Sequence, residues 1–151
     1  MVKKLNSFED CINKGLLRKI PPSKEKAKNS IKVATKWLNE AEKGLMAEIF
    51  NSSVLCSYLS MFHSARAILF YDGYREKSHY CVARYLEEKY VKKRLLEAKW
   101  VELLEHYRDL RHISQYSIES FATKEEAENA LKTARNFLER MKKLLEERAN
   151  K

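Results

Sequence analysis

The residues best suited to chemistry lie together in Tyr107-Arg108-Asp109-Leu110-Arg111-His112-Ile113-Ser114-Gln115-Tyr116. On a helix, residues three and four apart share a side. Tyr107, Arg111 and Ser114 then lie on one face, and Arg108, His112 and Gln115 on the adjacent one. The Arg111 guanidinium could grip a phosphate through two parallel hydrogen bonds. The His112 imidazole could carry a proton near neutral pH, and the Tyr116 hydroxyl could donate to a phosphate oxygen. Arg111 falls at the edge of an apolar stripe, where an unpaired charge is costly and must find a partner. Spacing leaves two partners open. One is a bound phosphate. The other is an internal carboxylate or the carbonyls of the helix end, where positive charge is favoured.

Other titratable residues give weaker signals. His63 sits beside Phe62 and Arg66 and reads either as a base or as a residue at the core boundary. His79 follows Lys77-Ser78 where a basic loop enters a helix. Amides at that end could hold an anion, or Ser78 could simply cap them. His106 has no evident partner. There is no carboxylate pair, Gly-rich phosphate loop or Ser-His-Asp pattern, so ordinary hydrolase and NTPase chemistry finds no support. Trp37, Trp100 and most of the eight tyrosines fall on apolar stripes and read as core rather than as base-stacking platforms. The three cysteines, Cys11, Cys56 and Cys81, are odd in number and lack a Cys-x-x-Cys pair. They predict reduced thiols in a cytoplasmic protein, with neither a metal site nor a cofactor. No apolar run approaches the roughly 18 residues of a membrane span, and no signal peptide is evident.

The elements that must position these groups are helical. Three Gly and two Pro in 151 residues leave few breakers, so long helices are favoured over the many turns of a β-protein. Residues 1–20 carry Phe8, Ile12, Leu16 and Leu17 about four apart, predicting a short N-terminal helix before Pro21-Pro22. Ser23 is a candidate N-cap. Helices are predicted over 24–45, closed by Gly44, over 51–71, stopped by Asp72-Gly73, over 79–90 and over 95–114. A last one follows the capping box of Thr123 and Glu126. Residues 74–78 read as a loop, and no segment alternates convincingly as a strand. Each helix is apolar on one side, so the stripes must bury each other. The expectation is an all-α, up-down antiparallel bundle of about five helices with a short N-terminal helix. It forms one domain over 1–151, with 1–22 an extension and 23–148 the core. The formal charge is +9, with eleven basic against five acidic side chains in residues 1–45. This excess suits a polyanion such as nucleic acid, or equally a well-solvated surface.

Three segments together resemble the HEPN (higher eukaryote and prokaryote nucleotide-binding) domain family. The first is Tyr58-Leu59-Ser60-Met61-Phe62-His63-Ser64-Ala65-Arg66-Ala67-Ile68-Leu69-Phe70 followed by Gly73. The second is Lys77-Ser78-His79. The third is Arg111 to Tyr116 followed by an Ala-rich helix ending in Phe137-Leu138. They span most of residues 24–145. The resemblance implies a helical bundle that often dimerises, with nucleotide or RNA held near Arg111, Tyr116, Arg66, Lys77, His79 and His63. In some members it implies partnership with a minimal nucleotidyltransferase in toxin–antitoxin systems. Other members are metal-independent endoribonucleases that use an Arg and a His four to six residues apart. This chain departs from that pattern: Tyr116 stands where the His is expected, while His112 adjoins Arg111 and follows Arg108 after three intervening residues. The catalytic alternative would therefore rest on Arg111, His112 and Arg108. A non-catalytic helical scaffold is the third reading.

Overall fold

The computed structural model describes residues 7–116 and 121–150, with the backbone alone for 113–116. The all-α expectation holds. The chain runs α1 (Phe8–Asn13), β1 (Leu17–Lys19), α2 (Lys24–Met46), α3 (Phe50–Asp72), β2 (Tyr74–Glu76) and α4 (His79–Leu86). A π-helical turn over Glu87–Val91, α5 (Ala98–Tyr116) and α6 (Lys124–Ala149) follow. Local chemistry sets many of these ends. Ser23 Oγ accepts from the Lys26 amide at 3.0 Å, and Thr123 Oγ1 accepts from the Glu126 amide at 3.1 Å. Each satisfies an amide that the first helical turn leaves without a partner.

Helix α3 is the axis of the bundle, packed by α2, α5 and α6. Its spacing predicts an apolar stripe on one side. Instead α3 is buried nearly all round, from Val54 and Tyr58 to Ile68 and Leu69, while Leu55 and Leu59 are half-buried. Small residues make this packing close. Helix α2 turns Ala27, Ser30, Ala34 and Ala41 inward, and α6 turns Ala127, Ala130 and Ala134 inward. Ser53 Oγ donates to the Ala41 carbonyl at 2.7 Å, so this buried hydroxyl is satisfied. Gly44 does not end α2. It lies within the helix, where a Cβ would approach the Ser53 backbone nitrogen at 3.3 Å. Its role is close helix approach. In α5 the spacing predicts Leu103 on the inner stripe with Trp100 and Tyr107; packing instead buries Leu104 and Val101 and leaves Leu103 half-buried.

The front of the chain departs further from expectation. Helix α1 is only Phe8–Asn13, and Leu17–Lys19 is extended, paired antiparallel with Tyr74–Glu76, which read as loop. The Ile20 amide donates to the Gly73 carbonyl at 2.9 Å and the Lys77 amide to the Leu16 carbonyl at 2.8 Å. Residues 7–20 thus form a strap across the α3–α4 connection. Cys11 and Cys81, both fully buried, form a disulfide that pins the strap to α4, while Cys56 is a free, buried cysteine. This corrects the expectation of reduced thiols. Neither count nor spacing could bring together residues 70 positions apart.

Asp72 closes the far end of α3. It accepts hydrogen bonds from Tyr85 Oη at 2.8 Å, Tyr90 Oη at 2.6 Å and Arg148 Nη2 at 3.3 Å. Burial, together with this carboxylate, raises both phenol pKa values, keeping them as donors. Asp72→Ala should cost about 2–4 kcal/mol, because it leaves two buried hydroxyl donors without their acceptor and removes the ion pair of Arg148, which keeps its 3.1 Å hydrogen bond to Tyr90 Oη. Urea unfolding measures this, and a loss below about 0.5 kcal/mol would show that the network adds little to stability.

Candidate functional site

The site grows from the middle of α3, the start of α4 and the last turns of α5. Helix α3 supplies Tyr58, Phe62, His63 and Arg66 on successive turns. Gly73, at φ 92°, caps α3 in the left-handed conformation that glycine adopts without strain. The chain then reverses through β2 and enters α4 at His79, which lies flat on Phe62 with ring centroids 3.8 Å apart and planes 18° apart. A hydrogen bond of 2.9 Å joins Tyr58 Oη to His79 Nδ1. His63 meets Phe62 edge-on at 5.3 Å.

Guanidinium groups surround these rings. Arg111 holds its guanidinium carbon 5.2 Å from the Tyr58 ring centroid. Arg108 and Arg84 flank Tyr80 at 5.6 and 5.1 Å. Arg66 lies over Phe70 at 4.9 Å and pairs at 2.6 Å with the buried Glu76 carboxylate. Such cation–π placements are individually worth about 0.5–2 kcal/mol. Arg108 pairs with Glu105 at 3.4 Å and approaches Asp109 at 3.8 Å. Arg111 forms no salt bridge among the described residues, and its buried Nε has no hydrogen-bond acceptor there. Of the two partners its position left open, the internal carboxylate is not found among the described residues.

The electrostatics follow from this crowd of cations. Burial, then Arg111, Arg108, His63 and Arg66, lowers the His79 pKa to about 4. Burial, then Arg66, lowers that of His63 to about 4. Both imidazoles are therefore neutral at pH 7. Burial also raises the Tyr58 phenol despite Arg111 and Arg108, and burial raises Glu76 despite Arg66. A histidine whose pKa falls on folding from 6.5 to about 4 binds its proton more tightly in the unfolded chain. Stability is then full above about pH 6.5 and is lost as pH falls towards 4. Discounted for partial solvent access, the loss should be about 1–2 kcal/mol per histidine. Urea midpoints between pH 7.5 and 4 check this. His79→Gln should flatten the slope, and an unchanged slope in that variant would refute the assignment.

The structure brings together Arg111, Arg108, His79, His63 and Arg66. Lys77 is exposed at the end of the β2 turn, and His112 is exposed on α5. The side chain of Tyr116 lies outside the described residues. Tyr58, Phe62, Tyr80, Glu76 and Glu105 complete the surroundings, and their sequence context does not mark them as site residues. Tyr58 and Phe62 share the helical face of Arg66, but on an apolar helix that reads as core. Among the described residues there is no group of three or more His, Cys, Asp or Glu able to hold a metal ion, and no helix is long and apolar enough to cross a membrane.

The helical bundle is the fold that the three sequence segments suggested. Residues 27–144 match the HEPN domain, and the chain belongs to that family. It is similar to two proteins of Methanocaldococcus jannaschii. One, named "Putative toxin MJ0605", is 28% identical over 124 residues, which is 82% of this chain and 92% of the relative. The other, named "Putative toxin MJ0142", is 27% identical over 122 residues, covering 81% and 83%.

Proposed function

We propose that this chain is a nucleotide- or RNA-binding module of a toxin–antitoxin-type system, with Arg111 as the phosphate anchor. The carrying observation is Arg111 itself: a half-buried cation with no carboxylate partner among the described residues, backed by Tyr58 and flanked by Arg108. A shielded guanidinium of this kind gains most from an anion that takes bidentate hydrogen bonds. The neutral His79 and His63 lend polar edges without competing for that anion. The toxin names of the two relatives support the biological setting. One HEPN domain, acting as a cytoplasmic homodimer and paired with a minimal nucleotidyltransferase, completes the reading.

A second reading has one observation in its favour. Tyr58 and His79 are hydrogen-bonded beside Arg111, which supplies a neutral imidazole near a phosphate anchor. A metal-independent endoribonuclease would then draw its acid–base group from His79 instead of from the exposed His112.

The test uses fluorescent single-stranded RNA in EDTA. Salt-dependent anisotropy without cleavage supports the binder. Cleavage lost in both Arg111→Ala and His79→Gln supports the nuclease, and cleavage lost in His112→Ala returns the role to that residue. Neither binding nor cleavage, with or without a co-expressed nucleotidyltransferase, leaves the helical scaffold. Light scattering at low concentration checks the dimer, and a monomer mass would remove it.

A further inference from the structure

The strap brings two arginines face to face. In the β1–β2 pair, Arg18 stands directly opposite Arg75, with Lys19 opposite Tyr74 and Leu17 opposite Glu76. Both arginines are exposed, as are Lys19 and Lys77. Like charges directly opposite on an antiparallel pair are destabilising. The four side chains line a cleft of about 520 Å3 together with Ile20 and Glu76. None of the four cations forms a salt bridge among the described residues. The one carboxylate at the cleft, Glu76, is engaged by Arg66. Among the described residues the fold therefore holds four cations together with no salt-bridged anion of their own, Glu76 acting on Arg75 only through space.

The arrangement is firmly anchored. Arg18 and Lys19 precede the family-matched segment, which begins at residue 27, so the extension adds them to the bundle. The Cys11–Cys81 disulfide pins the strap, Leu17 is buried beneath it, and backbone hydrogen bonds at Ile20 and Lys77 close both ends. Side chains alternate along β2, so Glu76 turns inward to Arg66 at the candidate site while Arg75 turns outward to Arg18. One strand thus links the two basic regions.

We infer that Arg18 and Arg75, flanked by Lys19 and Lys77, form a phosphate-binding surface for the backbone of single-stranded RNA, extending the footprint proposed around Arg111. The ligand class rests on the RNA-binding reading above; the surface itself rests on strand register and charge. Two opposed guanidiniums suit phosphodiester oxygens, which accept from both at once and remove the repulsion between them. Such contacts carry no base specificity, and they make affinity depend steeply on salt.

The experiment follows amide chemical shifts on adding a mixed-sequence RNA 12-mer, and in parallel measures the salt dependence of binding for wild type and for Arg18→Gln/Arg75→Gln. The expected result is shifts at 17–19 and 74–77 as well as around Tyr58, His79 and Arg111. The double variant should bind several-fold more weakly, its log–log salt slope shallower by about 1.4, at roughly 0.7 per lost contact to a single strand. Its thermal stability should be equal or higher, because a like-charge pair has been relieved. Shifts confined to Tyr58, His79 and Arg111, with an unchanged slope, would overturn the surface and leave the Arg111 site standing. Shifts at the strap alone would uphold the surface and remove the Arg111 reading. No shifts anywhere would overturn both. A double variant that loses stability would assign the arginines a structural role and overturn the inference.

Discussion

Arg111→Ala should weaken RNA binding about 10- to 100-fold while leaving the fold intact. A charge-assisted hydrogen bond to phosphate contributes about 1.5–3 kcal/mol, and each 1.4 kcal/mol is a factor of ten. The same substitution removes one cation–π contact with Tyr58, worth about 0.5–1 kcal/mol. It also removes a shielded Nε that has no acceptor among the described residues, a relief of similar size. These two effects oppose, so the unfolding free energy should move by less than about 1 kcal/mol. Arg111→Lys should rescue little, because an ammonium group cannot reproduce the planar fork. Fluorescence anisotropy and urea unfolding on the same preparations separate the effects. If RNA affinity were unchanged, or if stability fell with affinity in proportion, Arg111 would be a packing residue and the proposed site would fall.

Gly73→Ala should destabilise the protein by about 2–4 kcal/mol, combining left-handed strain with a steric clash. Gly73 has φ 92°, and a Cβ there would lie 2.7 Å from the Ile20 carbonyl oxygen and 2.9 Å from Pro22 Cγ. The Ile20 oxygen belongs to the backbone, so it cannot swing aside as a side-chain end could. Relief would require the strap to lift, breaking the hydrogen bond from the Ile20 amide to the Gly73 carbonyl. At about 2–4 °C per kcal/mol for a chain of this size, the midpoint should fall by roughly 5–15 °C. Gly15→Ala is the useful comparison. Gly15 has φ 68°, but a Cβ added to it would meet nothing within 4 Å, so only conformational strain of about 1 kcal/mol remains. Equal losses in the two variants would show that the close approach at Gly73 contributes nothing.

Much of the bundle was legible in the residues. Apolar positions three and four apart in α2, α5 and α6 marked helices whose inner faces had to meet. Ser23, Thr123 and Asp72-Gly73 marked ends because their side chains, or the lack of one, solve a local hydrogen-bonding or steric problem. Such signals lie within a few residues of each other. The candidate site was partly legible for the same reason: Arg108 and Arg111 are neighbours on one helix, and Lys77-Ser78-His79 announces a basic entry to the next.

What the chain could not reveal by itself are relations between distant residues. Three-residue strands are too short to leave a legible alternating pattern in sequence, so the pairing of Arg18 with Arg75 depends on where the strap lands. Cys11 meets Cys81 only because α1 packs on α4. Tyr58 and Phe62 read as core because nothing in their own helix indicates that His79 will stack and hydrogen-bond above them. Periodicity and capping are written in local spacing, which determines the helices and their buried faces. Charge partnership, stacking and cross-strand register arise from packing between segments, so only the tertiary arrangement decides them.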